Sequence, residues 1–157
     1  MKIQLTVVGK TTDKHLIALI EEYVGRIVHY VPFELDVIPE LKQAKSLTAE
    51  QQKEQEGKLI LSRLRDGDWV VLLDEGGKEM RSVEFASYLQ KRQASGAKRL
   101  VFVMGGPYGF SPEIYKLAKE KISLSQMTFT HQMVRLFFVE QIYRAQTILK
   151  GENYHHE

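Results

Sequence analysis

Two short runs constrain this chain more than anything else in it. "WVVLL" (69–73) and "RLVFVM" (99–104) each carry four consecutive apolar residues or more. A strand with one face in water alternates apolar and polar side chains. A strand apolar at every position must be covered on both faces, as in a parallel sheet sandwiched between helices.

The rest of the sequence supplies those helices. "KIQLTVV" (2–8) reads as a strand closed by Gly9. Asp13 then opens a helical pattern of Leu16, Ile17, Ile20, Tyr23, Val24 and Ile27 at three- and four-residue steps. "FELDVI" (33–38) alternates like a strand between Pro32 and Pro39, and 40–48 reads as a loop. Thr48 with Gln51 predicts a capping box for a helix through Arg65. Ser82 starts a helix to about Ser95. "SPE" (111–113) places an N-cap, a proline and an early acid at another helix start. "KISLSQMTFT" (121–130) is strand-like but polar, and a last helix runs from about His131 to Lys150, stopped by Gly151. Strands alternating with helices predict one α/β domain over 1–157 with a mostly parallel sheet.

Composition excludes several functions. There is no cysteine, hence no disulfide, thiolate metal site or cysteine nucleophile, which is compatible with a reducing cytoplasm. No apolar run approaches the ~18 residues of a membrane span. A net charge of +2 is too mild to argue for nucleic acid by itself.

"MGGPYGF" (104–110) follows a strand but fails the dinucleotide fingerprint, because Met104 stands where the first glycine belongs. Pro107 removes an N–H, and Glu113 at the helix mouth would repel a pyrophosphate. Two readings remain: a tight turn, or a backbone-lined pocket for a flat, weakly charged ligand such as adenosine. The last helix is also unusual. Met133, Val134, Leu136, Phe137, Phe138, Val139, Ile142, Tyr143, Ile148 and Leu149 surround its axis. A helix on one sheet needs a single apolar stripe, so this one points to a twofold subunit interface. Arg135, Glu140, Gln141 and Arg144 then form interface salt bridges or contact a ligand.

"VVGK" (7–10), "LLDEGGK" (72–78), "FVMGGPYGF" (102–110) and "SLSQMTFTHQMVRLFFVEQIYRAQTILKGENYH" (123–155) together resemble the 23S rRNA pseudouridine N3-methyltransferases of the SPOUT superfamily. The resemblance covers essentially the whole chain, and its C-terminal block is the specific part. It implies an α/β knot whose C-terminal segment threads a deep trefoil, a rare exception to chain topology. It also implies a homodimer through the last helix that uses S-adenosylmethionine to methylate rRNA in the assembled ribosome, in the cytoplasm. Carried over by position, Leu73, Gly105, Leu124, Ser125, Gln126, Met127, Thr128 and Phe129 are the expected donor-binding residues. The chain departs from the family at Thr130, where proline is frequent, and at His156, where a basic residue usually stands.

A sulfonium is an activated donor, so positioning carries most of the rate, and a base near N3 takes its proton. His131, Tyr154 and His155 are the candidate bases, with Glu140 behind them; Arg135 and Arg144 are candidates for rRNA phosphate or uracil carbonyls. His131 equally reads as a cap of its own helix. "KRQASGAKR" (91–99) is either a backbone-binding edge or a solvated helix end. "YHHE" (154–157) lacks the further ligands that a metal site needs. The tail is instead expected to be loose in the free protein and to close over a donor pocket, its own or the partner's. Rival readings are a non-catalytic ribosome- or nucleotide-binding module and a SPOUT enzyme acting on tRNA.

Overall fold

Every residue of the strand Arg99–Met104 is buried, as its unbroken apolar run requires. The computed structural model describes residues 1–157. In chain order the elements are β1 (Lys2–Val8), α1 (Lys14–Ile27), β2 (Phe33–Ile38), α2 (Ala49–Ser62), β3 (Trp69–Glu79), α3 (Ser82–Ala94), β4 (Arg99–Met104), α4 (Pro112–Leu117), β5 (Glu120–Ser123) and α5 (His131–Leu149). A short 3-10 turn, Ala44–Ser46, interrupts the 40–48 loop.

The five strands form one sheet in the order β2-β1-β4-β3-β5, and every pairing is parallel. Two cores cover its faces. On one side Ile3, Leu5 and Val7 of β1 join Phe85, Phe102, Phe138 and Ile142, beneath α1, α3 and α5. On the other, Val70, Leu72, Val101 and Val103 meet Ile60 of α2 and Ile114 of α4. This is the expected α/β sandwich. The addition of β5 beyond β3, with α5 returning between α1 and α3, is consistent with the threaded C-terminus of the SPOUT fold.

The local signals act as their chemistry demands. Asp13 accepts from the His15 and Leu16 amides at the start of α1, and Thr48 and Gln51 make the reciprocal capping box of α2. Gln4 and Thr6, polar in a buried strand, are satisfied within β1 and from β4: Gln4 Nε2 donates to Thr6 Oγ1 (3.0 Å), and Arg99 Nη1 donates to Gln4 Oε1 (2.8 Å).

Three expectations change. First, 121–130 is not one strand. Pairing ends at Ser123, and beyond it the Ser123 hydroxyl donates to the Ser125 carbonyl while the Met127 N–H donates to Ser125 Oγ. Such local bonds divert the backbone from a ladder. Second, β3 outlasts its apolar run. Its register against β5 shifts between Leu73 and Lys78, so 74–77 bulges from the sheet. Gly77 permits this, because a Cβ there would lie 2.6 Å from the Ile122 backbone. Third, much of the apolar surface of α5 is used inside the chain. Phe138, Val139, Ile142 and Ala145 pack into the core, and Tyr143 meets Tyr23 and Tyr30. Two helices flank α5, so more than one of its stripes is covered within the chain. Met133 and Phe137 remain, each 38% exposed.

Candidate functional site

Because all strands run parallel, their carboxyl ends meet at one edge, where open α/β sheets place ligands. Three segments converge there: 73–76 at the bulge in β3, 104–110 from the end of β4, and 122–131 from the end of β5. They enclose a cavity of about 690 Å³, together with Val134 from the first turn of α5.

Seven of the eight expected donor-binding residues line this cavity: Leu73, Gly105, Leu124, Ser125, Met127, Thr128 and Phe129. Gln126 does not. His131 joins them. The sequence reading missed Asp74, Glu75 and Gly76, as well as Tyr108 and Ser123. The motif "LLDEGGK" held the signal for the first three, but nothing in it marks a bulge that turns 74–76 toward the glycine loop.

The walls combine two chemistries. Leu73, Ile122, Leu124, Phe129 and Val134 offer apolar surface to a flat ring, while Ser123, Ser125, Thr128 and the glycine-loop backbone offer hydrogen bonds. Asp74 is fixed: Tyr115 donates its hydroxyl to Oδ2 (2.5 Å) and the Gly76 N–H donates to Oδ1 (2.8 Å). Burial and this bond push the Tyr115 phenol up to about 12. Gly105 packs beneath its own loop, where a Cβ would sit 3.1 Å from the Phe110 ring and 3.2 Å from the Gly109 carbonyl.

His131 is not the cap of α5. Thr130 is, accepting from the Met133 N–H (3.1 Å). The His131 imidazole is held below its ordinary pKa by burial and then by the Arg135 guanidinium, so it stands neutral at pH 7 and able to accept a proton.

The other candidate catalytic residues lie elsewhere in the chain. Arg135 is buried and turned away from the cavity lining, donating to Thr11 Oγ1 (3.1 Å) and the Val8 carbonyl (2.9 Å). It holds the β1–α1 loop, which the adjacent Gln132 also grips by accepting from the Thr12 N–H (2.9 Å). Tyr154 and His155 sit toward the far end of α5. The Tyr154 hydroxyl donates to Glu140 Oε1 (2.9 Å) beside Tyr23, and its ring packs on Tyr143 at 4.8 Å. Glu140 lies nine residues beyond His131, ~13 Å along a helix axis. Arg144 bridges Glu140 and His155 Nδ1 (3.1 Å), and Arg81 pairs with Glu157 (2.7 Å). The expected loose tail is therefore docked, because its aromatic and charged groups find partners on α1, α5 and the segment before α3.

The basic stretch 91–99 also resolves into structure. Arg92 lies over the Trp69 ring at 4.3 Å, and Arg99 is buried in an ion pair with Asp68. Arg99 is thus spent on Asp68, and Arg92 is anchored on Trp69 while Lys91 and Lys98 have no such role. No group of three His, Asp or Glu side chains is close enough to hold a metal ion.

Comparison with known proteins agrees with this architecture. A family described as predicted SPOUT methyltransferase matches residues 1–155. Proteins named ribosomal RNA large subunit methyltransferase H are similar over the full length of both chains, 61% identical in Bacteroides fragilis and 56% in Porphyromonas gingivalis. A probable methylase family protein from Haemophilus influenzae shares the fold at a TM-score of 0.51 and 12% identity, with 95% of this chain and 66% of that one covered. The chain belongs to the SPOUT methyltransferases, in the family of ribosomal RNA large subunit methyltransferase H.

Proposed function

We propose that residues 1–157 act as a single domain that transfers a methyl group from S-adenosylmethionine to N3 of a pseudouridine in 23S rRNA, in the cytoplasm and on the assembled large subunit. The observation that carries this reading is the meeting of seven expected donor-binding residues in one cavity at the carboxyl edge of the sheet. The names of the relatives supply the rRNA substrate class. No helix is long and apolar enough to cross a membrane.

The cavity suits the donor. Leu73, Leu124, Met127 and Phe129 match the faces of an adenine, and Ser125 with the backbone around Gly105 matches its edges. Asp74 and Glu75 complement a cationic ligand. S-adenosylmethionine supplies a methyl group already activated on sulfonium. The protein's part is to align the acceptor and remove its proton. His131, neutral and at the cavity wall, is the base we assign to the N3 proton.

Homodimerisation through α5 is part of the same reading. Met133 and Phe137 leave an apolar patch on this helix, and Phe129 packs on Phe137 at 5.1 Å beside the cavity. Tyr154 and His155, remote from their own cavity, then act at the partner's. The target base lies in an RNA loop and is reached by splaying it out.

The test is to incubate the protein with labelled S-adenosylmethionine and ribosomes lacking the modification, then map the label. Label on one pseudouridine of 23S rRNA is expected. Label on tRNA instead would move the enzyme to the tRNA-directed SPOUT reading, and no transfer to any RNA would favour a binding module.

A further inference from the structure

Behind the glycine loop, on the side away from the cavity, α2 presents a carboxylate that ordinary stability does not explain. Glu56 is 5% exposed. No cation pairs with it: Gln52 Nε2 donates to its Oε2 (3.2 Å), and the Gly106 backbone packs against its carboxylate. Burial pushes its pKa up, against the help of the Gln52 amide. A buried carboxylate without a cation is destabilising relative to an apolar side chain of its size. Its presence calls for a use.

The use lies in its contact with the loop. The carboxylate occupies the space where residue 106 would carry a Cβ, which would lie 2.5 and 2.6 Å from the two oxygens. Gly106 is therefore glycine to admit Glu56, since its φ is not in the left-handed region. The next residue along α2 seats the other end of the loop. A Cβ on Gly57 would lie 2.7 Å from Ser111 Oγ, so the helix lies flush against the start of α4. Successive residues of one helix thus hold both ends of the 106–111 turn. Glu56 itself does not line the cavity.

We propose that Glu56 is a positioning residue of the methyl-donor site, its carboxylate bracing the Gly105–Gly106 backbone from behind in the shape that receives the donor. The proposal rests on the cavity being that site. It separates the two jobs of the loop: one face of its backbone meets the ligand, while the other is held by α2. Gln52 orients the carboxylate in turn.

Two replacements isolate the role. Glu56→Gln keeps the planar group packed against Gly106, with a flip of the Gln52 amide satisfying the new NH2. Glu56→Leu keeps approximate volume and removes the acceptor. A structural residue would show its loss in stability. Here Glu56→Leu is expected to melt at or above the wild-type temperature, because a buried charge is gone. By calorimetry it should nevertheless bind S-adenosylmethionine roughly tenfold more weakly, the loss of about one hydrogen-bond acceptor's worth of ordering. KM for the donor should rise accordingly, with kcat at saturating donor changed far less. Glu56→Gln should bind within about threefold of wild type. In the donor-free proteins, amide exchange at 105–109 should accelerate in Glu56→Leu only. Wild-type affinity and exchange in Glu56→Leu would overturn the proposal. Should that variant not fold, Gly106→Ala, which drives a methyl group into the intact carboxylate, must weaken donor binding instead; unchanged affinity there overturns it equally. Absence of donor binding by the wild type would remove the donor site itself, whereas failure of the bracing role leaves wild-type binding intact.

Discussion

Arg135 Nη2 donates a 2.9 Å hydrogen bond to the Val8 carbonyl, tying the second turn of α5 to the end of β1. A buried guanidinium spent on a loop is not free to hold RNA. Arg135→Met should lower unfolding free energy by about 1–3 kcal/mol, since Val8 and Thr11 lose a charged donor. The slope of log affinity for rRNA against log salt should stay as in wild type. A slope reduced by about one would mean that Arg135 does neutralise a phosphate.

His131 carries the pH dependence. Burial and the Arg135 guanidinium lower its pKa from the ordinary 6.5, so the neutral, proton-accepting ring persists below that pH. With donor and rRNA saturating, methyl transfer should be level above pH 6.5 and fall on the acid side. His131→Ala should lose roughly 10²–10⁴ in rate together with that acid limb. An unchanged acid limb in the variant would assign the proton to another group. The same shift bears on stability: a depressed pKa contributes stability above 6.5 that is lost as the pH falls through the folded-state value.

Tyr115 tests how the 74–76 bulge is held. Its phenol, raised from 10 to about 12, favours the protonated form in the fold. That contribution is complete below pH 10 and is lost as the pH rises toward 12. Denaturant unfolding at several alkaline pH values should therefore show a shallower loss of stability in Tyr115→Phe than in wild type, by about one proton. Equal slopes would show that the Asp74 bond does not persist in solution.

Tyr154 separates packing from chemistry. Tyr154→Phe keeps the ring against Tyr143 and removes the hydroxyl that donates to Glu140. Donor affinity should stay within about twofold and stability fall by about 1 kcal/mol, while methyl transfer should drop sharply, since the tail acts at the partner's site. Full activity in a variant lacking residues 153–157 would leave the tail as a clasp for α1 and α5 alone.

Most of the scaffold was legible from local chemistry. Runs such as "RLVFVM" need two covered faces, and Asp13, Thr48 and Ser111 mark helix starts through the amides they cap. What the sequence hid were relationships between distant segments. Nothing local distinguishes Arg135 from a phosphate-binding arginine, because its partners at Val8 and Thr11 stand more than a hundred residues away. Part of the apolar girth of α5 serves the chain's own core, which periodicity cannot show, because α1 and α3 flank it. The cavity was half visible: the glycine loop marks itself and the family resemblance supplied 124–129, but the bulge at 74–77 depends on a register shift against β5.

The account turns on the cavity at the carboxyl edge of the sheet. Titration calorimetry of S-adenosylmethionine into the wild type and Gly105→Val tests it most directly. A Cβ at 105 would already stand 3.1 Å from Phe110, so the branched side chain must displace the loop. Saturable binding to the wild type, lost in Gly105→Val while its circular dichroism stays native, is the predicted result. Equal affinity in the two proteins would place the donor elsewhere and contradict the account.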